Sequence, residues 1–341
     1  MQTILRSSAR ITAIGSYVPE RIMTNDELST MVETNDEWIV RRTGMKERRI
    51  AGEEEFASHL AIRAAERMLA RYGKEARDID AVIVATTTPD TPFPSVASRV
   101  QDALGIESCL AFDMNAACAG FVAALQTANG LLLSGAHRKV LVIGTETLSK
   151  ITDYADRSTC ILLGDGAGAV LLETADEGSF IASDARTDGS GGGLIYAAGL
   201  SSWWRGQPLA GEGKMVQNGR EVYKWAVTQI PQGVRRMLDQ AGLGVSGLDW
   251  FVPHSANLRM IEAMCERLEL PPERALHSVS LCGNTSAASI PLALDLAVQD
   301  GRLEPGQLVA LYGFGSGLTQ AGLLIRWTLE KSEAKGDTQG E

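Results

Sequence analysis

The sequence has no apolar run of the ~18 to 20 residues that a membrane-spanning helix needs. It has no basic surplus either: 32 Lys and Arg stand against 42 Asp and Glu, a net charge of −10. A protein that works mainly on nucleic acid usually carries the opposite balance. The first ten residues are polar and lack the apolar stretch of a secretory signal, so a cytoplasmic protein is expected. Cysteine is scarce. The five (Cys109, Cys118, Cys160, Cys265, Cys282) are odd in number, with no CxxC pair and no zinc-like spacing. Reduced thiols are expected, so any special one is reactive rather than bridged. Glycine alone is in excess, at 35 of 341 residues, against a usual ~7%. Such a chain must turn sharply, or let backbone approach closely, at many points. The 45% apolar and 22% charged content excludes a disordered chain, a collagen and a coiled coil. At ~150 residues per domain, the length suits two domains or one large layered one.

Short apolar runs recur at 81–85, 140–143, 169–172, 308–311 and 323–325. None alternates with polar residues, as befits strands covered on both faces. Helical stretches lie between them. Residues 58–72 have helical spacing, with Gly73 to end them. Residues 120–134 are apolar on almost every side and suit a helix buried all round. Further helices are expected over 221–240 and 258–268. The alternation argues for an α/β class. A faint repeat runs through it: Asp80 before one strand matches Asp249 before another, and Val142 matches Val309, so the chain reads as two copies of a unit of about 170 residues. We expect a first half over 11–185, a cap over 186–219, a second half over 220–328 and a polar tail over 329–341. The cap holds nine of the glycines and the pair Trp203-Trp204. A long irregular segment of this kind suits a cover over a pocket.

In Asn115-Ala-Ala-Cys118-Ala-Gly120, a cysteine sits where a strand gives way to the buried helix. Unpaired N–H groups and the dipole at a helix N-terminus favour a thiolate, which is the recipe for a nucleophile. A small buried hydrophobe is the competing reading. His254 and Asn284 each follow a strand of the second half and precede a helix. Either alone fits a cap or turn residue, and their joint occurrence with Cys118 points to a site. Gly164-Asp-Gly-Ala-Gly168 lacks a following helix, so it is not a nucleotide loop. It is expected to be a tight hairpin turn.

Together these segments resemble the β-ketoacyl-acyl-carrier-protein synthase III family of the thiolase-like superfamily. The likeness spans roughly residues 10–327. It rests on Thr34-Asn-Asp-Glu-Trp38-Ile-Val-Arg-Arg42-Thr-Gly44, the Cys118 motif, Asp156-Arg157, residues 164–168, Pro253-His254-Ser-Ala-Asn257-Leu-Arg259, Gly283-Asn284-Thr-Ser-Ala-Ala-Ser289 and Gly313-Phe-Gly-Ser-Gly317, all in order. The resemblance implies a thiolase-like fold, with duplicated βαβαβαββ halves in a layered α-β-α-β-α sandwich. It implies that Cys118 is acylated by an acyl-CoA and that the acyl group is condensed with malonyl carried on acyl carrier protein (ACP). His254 and Asn284 would complete the catalytic set. The N–H groups of Cys118 and Ser316 would form the oxyanion hole. Trp38 and Arg157 would bracket the adenine of CoA, with Arg42 near its phosphates and Asn257 supporting the centre. Phe314 would wall the acyl pocket, and Phe93 would cross a homodimer interface to do the same. Lys224, Arg259 and Arg267 would form a basic patch for ACP. No metal or organic cofactor is implied.

Some positions depart from the family pattern. Ser255 replaces a usual Gln, Ser316 a Gly or Ala, Gln320-Ala321 a Trp-Gly, and Cys282 stands where His or Tyr is frequent. Ser255, Trp203-Trp204 and residues 215–219 resemble a second isoform of some Gram-positive bacteria, which often takes branched primers. A papain-like hydrolase would need other flanks around its Cys. A biosynthetic thiolase would need a second catalytic Cys after Cys282, and a hydroxymethylglutaryl-CoA synthase a catalytic Glu that these motifs lack. A condensing enzyme of polyketide metabolism and a non-catalytic carrier-binding homologue remain as alternatives.

Overall fold

The computed structural model describes residues 5–330; beyond them lies residues 331–341 of the expected tail. The first sheet holds β1 (Ala9–Tyr17), β2 (Ala81–Ala85), β3 (Leu110–Met114), β4 (Lys139–Thr147) and β5 (Asp165–Thr174), in the order β1-β5-β4-β2-β3. The second holds β6 (Phe180–Thr187), β7 (Trp250–Pro253), β8 (Leu308–Gly315) and β9 (Thr319–Arg326), in the order β7-β8-β9-β6. In each, two antiparallel pairings are followed by a parallel one. Ala81 lies opposite Val140 in one sheet and Trp250 opposite Val309 in the other. The two copies are therefore in register at an offset of 169, which matches Val309 to Val140 rather than to Val142.

Six helices matter for the site: α1 (Asp36–Thr43), α2 (Ala57–Tyr72), α3 (Gly120–Leu133), α4 (Gly219–Gln240), α5 (Leu258–Leu268) and α6 (Ser289–Gln299). Strand alternation sorts side chains into three cores. Ala81, Ile83 and Ala85 of β2 join Val309 and Leu311 of β8 around α3 and α6, between the sheets. Val82 and Val84 face outward under α2. Ala310 and Tyr312 face outward under α4 and α5. The result is five layers, α-β-α-β-α. Both central helices touch sheet on two sides, which is why residues 120–134 read as apolar all round.

Glycines let the halves interlock. A Cβ on Gly144 of β4 would lie 2.3 Å from the carbonyl oxygen of Ala287, in the turn before α6. A Cβ on Gly313 of β8, its counterpart, would lie 2.7 Å from Cα of Ala119, in the turn before α3. Real Cβ atoms do not come so near backbone, so each strand needs glycine where it receives the other half's turn.

Two expectations change. The second unit begins at β6, because Phe180–Thr187 pairs with β9 rather than with the first sheet. The segment over 186–219 therefore interrupts the second half instead of dividing the halves. The glycines of residues 164–168 are not a hairpin turn either: β5 starts at Asp165 and runs through them. A Cβ on Gly168 would meet Pro291 of α6 at 2.6 Å, and one on Gly164 would meet the Cys282 carbonyl oxygen at 2.1 Å. Close packing from the other half, not turning, requires glycine there.

Candidate active site

The nucleophile candidate is presented by a strained turn. After β3, Ala117 adopts φ +47°, which non-glycine residues rarely take. Asn115 holds that turn: its Oδ1 accepts the N–H of Ala117 at 3.2 Å. Cys118 follows in a short 3-10 segment, and α3 starts at Gly120. The second half repeats the device 169 residues on. Ser286 adopts φ +46°, and Asn284 Oδ1 accepts the N–H of Ser286 at 2.9 Å. Asn284 is thus a turn cap like Asn115. Because its oxygen is occupied, its NH2 group is the end left to donate.

The two turns meet at the base of one mostly apolar cavity of about 1260 Å³, lined by Cys118, His254, Asn284, Ser286, Phe314 and Ser316 among others. Such a volume admits a ligand longer than an ordinary small molecule. A Cβ on Gly315 would lie 3.0 Å from Cys118 Cβ, so the turn before Ser316 presses against the thiol-bearing residue. Burial pushes the Cys118 thiol up to about 12; the Ser286 hydroxyl and a backbone N–H oppose that push, and the nearby Glu146 adds to it.

His254 directly follows β7 and is buried. Burial pushes its imidazole down to about 3, so the ring is neutral. Its Nδ1 lies 2.8 Å from the Ser289 hydroxyl, which also accepts the N–H of Ser255 at 3.2 Å. A serine that accepts the Ser255 N–H still has its own proton to give, and donating it to Nδ1 is the tautomer that leaves the imidazole proton on Nε2. Phe314 meets the ring edge-on at 5.3 Å and fixes its plane. The site thus pairs one sulfur with two neutral hydrogen-bond donors, an arrangement suited to acyl transfer followed by stabilisation of an enolate.

Comparison with known proteins decides the family. The family model for the C-terminal part of 3-oxoacyl-[acyl-carrier-protein] synthase III matches residues 238–327, and the model for 3-oxoacyl-[acyl-carrier-protein] synthase III matches residues 112–189. A β-ketoacyl-[acyl-carrier-protein] synthase III 2 of Halalkalibacterium halodurans is 55% identical over 95% of this chain and 98% of its own length. One from Bacillus subtilis is 56% identical over 94% of this chain and 99% of its own. The crystal structure of the synthase III of Thermus thermophilus is 44% identical, with a TM-score of 0.90, covering 93% of this chain and 99% of that one. The chain belongs to the β-ketoacyl-ACP synthase III family. Its two interlocked halves are the thiolase-like fold, and the relatives named synthase III 2 agree with the expected second isoform.

Other residues singled out for this family fall around the cavity mouth. The Arg157 guanidinium lies over the Trp38 ring at 5.3 Å, so the two stack on each other and do not bracket a space for an adenine in this structure. Arg42 lines the mouth, as do Arg41 and Arg220, which sequence reasoning did not single out. Asn257 caps α5, its side chain accepting the Arg259 N–H at 2.8 Å. From the segment over 186–219, Gly192, Ile195, Tyr196 and Trp204 line the cavity. Ser316 is tied to the cap, its hydroxyl donating to the Ile195 carbonyl at 2.6 Å. Phe93 is 84% exposed and does not line this chain's cavity.

The basic patch is partly spent internally. Lys224 pairs with Glu221 at 2.7 Å, and Arg259 pairs with Glu262 at 2.7 Å. Arg259 also donates to the carbonyls of Arg41 and Val40 and so holds the end of α1. Both still line the mouth, while Arg267 is exposed and stands apart from it. One buried acid escaped sequence reasoning. Glu146, at the end of β4, is fully buried near Cys118. Its signal was a lone carboxylate extending an otherwise apolar strand.

Proposed function

We propose that this chain makes the first condensation of fatty acid synthesis, joining an acyl-CoA primer to malonyl-ACP through an acyl-Cys118 intermediate. In the first half-reaction, the Cys118 sulfur attacks the thioester carbonyl. The oxyanion accepts hydrogen bonds from the N–H groups of Cys118 and Ser316. The carbon–sulfur bond to CoA then breaks and CoA leaves. In the second, malonyl-ACP enters and loses CO2. The enolate oxygen accepts hydrogen bonds from His254 Nε2 and Asn284 Nδ2. Its carbon attacks the acyl-enzyme, Cys118 is released, and a β-ketoacyl-ACP forms. Neutral donors serve this step well, since they stabilise developing negative charge without protonating the carbon.

The observation that carries this reading is the orientation of the two donors. Asn284 Oδ1 is occupied by Ser286 N–H and His254 Nδ1 by the Ser289 hydroxyl. The reading also assigns the Trp38–Arg157 stack to the adenine of CoA and the mouth arginines to its phosphates. It further assigns a cytoplasmic homodimer, in which exposed Phe93 reaches the partner's acyl pocket. Incubation with acetyl-CoA or isobutyryl-CoA should add the mass of one acyl group, located on Cys118. Failure of every CoA ester to give that adduct, or an active Cys118→Ala variant, refutes the assignment.

A further inference from the structure

The end of β8 packs on the cysteine. A Cβ on Gly315 would lie 3.1 Å from the Cys118 sulfur, and Ser316 comes next. The N–H of Ser316 is the group assigned above to the oxyanion. Its hydroxyl is engaged elsewhere, donating to the Ile195 carbonyl at 2.6 Å, across 121 residues of sequence.

Ile195 opens a short ribbon, in which Ile195–Ala197 pairs antiparallel with Met215–Gln217. The ribbon is braced within itself. Ile195 lies opposite Gln217 and Tyr196 opposite Val216, and the Tyr196 hydroxyl accepts the N–H of Ala210 at 3.2 Å. Ile195, Tyr196, Met215 and Gln217 all line the cavity. The segment over 186–219 has other anchors. Asp188 and Leu318 exchange backbone hydrogen bonds in both directions at 2.8 Å, continuing the pairing of Thr187 with Thr319. Lys214 Nζ donates to the Lys150 carbonyl at 3.0 Å. None of those four anchoring residues lines the cavity, whereas Ser316 and Ile195 both do. The serine bond therefore joins the two walls at the site itself, and a glycine or alanine there would make no such bond.

We propose that the Ser316 hydroxyl is a positioning group for acylation. By holding Ile195, it sets the ribbon beside the acyl thioester and aims the Ser316 N–H at the oxyanion. The inference rests on the reading of Cys118 as the acylated nucleophile. An oxyanion donor is effective when its direction is fixed before the charge develops. Ser316 lies between Gly315 and Gly317, and Gly317 takes φ +135°. A backbone N–H between two glycines swings freely unless something fixes it, and the bond to Ile195 does so.

The test is single-turnover acylation over a range of acetyl-CoA concentrations, followed by mass, in wild type, Ser316→Ala and Ser316→Thr. Both variants keep the N–H, and threonine also keeps the donor. Ser316→Ala should lose about five- to tenfold in the saturating rate, the effect of one net hydrogen bond, while the half-saturating concentration moves less than threefold. Ser316→Thr should stay within about threefold of wild type. A hydroxyl that merely steadied the ribbon would raise the half-saturating concentration and spare the saturating rate, and that result overturns the proposal. A wild-type saturating rate in Ser316→Ala, or a threonine variant as slow as the alanine one, also overturns it. Hydrogen exchange at residues 195–197 should quicken in Ser316→Ala by a similar factor. Unchanged exchange there overturns the tie even if the rate falls. A wild-type protein with no adduct overturns the nucleophile assignment instead, and the exchange comparison still tests the tie.

Discussion

Replacing Ser289 by alanine separates the two half-reactions. The hydroxyl bridges His254 Nδ1 and the N–H of Ser255, all of them buried. Its loss strands the Ser255 amide, worth about 1–3 kcal/mol, and removes a net imidazole bond worth about 1 kcal/mol. A total of about 2–4 kcal/mol corresponds to a fall of roughly 3–6 °C in Tm for a chain of this length. The chemical effect is selective. Without the serine proton at Nδ1, the imidazole proton is no longer held on Nε2. An enolate-stabilising bond weakened by ~1.4–2.7 kcal/mol slows condensation about ten- to a hundredfold. Acylation of Cys118 does not use that donor and should keep its rate within about threefold. The assay measures acyl adduct formation by mass and condensation with malonyl-ACP on the same preparation at a temperature well below the variant's Tm. Equal losses in both half-reactions, or an unchanged condensation rate, would refute the tautomer argument.

Three further outcomes follow from particular contacts. Trp38→Ala removes a stacking face worth ~1–3 kcal/mol, so KM for acyl-CoA should rise about five- to a hundredfold while kcat changes little. An unchanged KM would remove Trp38 from the CoA site. In Gly233→Ala, the new Cβ would lie 1.8 Å from the Tyr312 hydroxyl, which donates to Asp184 at 2.5 Å. Helix propensity favours alanine by about 1 kcal/mol, but overpacking and the lost charged bond cost about 3–5, so chemical denaturation should show a net loss. Stability should also fall from about pH 6.5 toward 3. His254 and His277 are lowered by burial, and the unfolded chain takes up their protons first, at up to about 1.4 kcal/mol per pH unit for each ring. The raised carboxyls of Glu146 and Asp165 oppose this where they titrate, because the folded state then holds their protons more tightly. Denaturant midpoints at pH 7, 6 and 5 should show a shallower fall for His254→Asn, and identical slopes would count against the buried-imidazole account.

The layered core was legible in the sequence because apolar periodicity is local. Every uninterrupted apolar run became part of a strand, and the all-round apolar stretch became the central helix α3. That Cys118, His254 and Asn284 share one cavity was legible for a related reason, since strand ends before helices are visible in one copy of the chain. Long-range packing was not. The glycines of residues 164–168 answer to Pro291 and to the Cys282 carbonyl, more than a hundred residues away. β6 follows the first half directly in sequence yet pairs with β9, so no local signal marks the boundary at Phe180. Lys224 and Arg259 looked available because their acidic partners Glu221 and Glu262, one turn away, were not weighed with them.

The matched turns at Ala117 and Ser286 also bear on how such a site can change. An unduplicated ancestor that paired with a copy of itself would have built two equal crossings, each under the same constraint. In this chain position 287, the counterpart of Cys118, is alanine, so the second crossing carries no nucleophile and offers Asn284 instead. Duplication within one chain let the two turns diverge, one keeping sulfur and the other gaining a hydroxyl. The division of labour has a structural price: the shape of each turn is set by the opposite half. Substitutions at Gly144 or Gly313 would shift a working group that lies in the other copy of the unit.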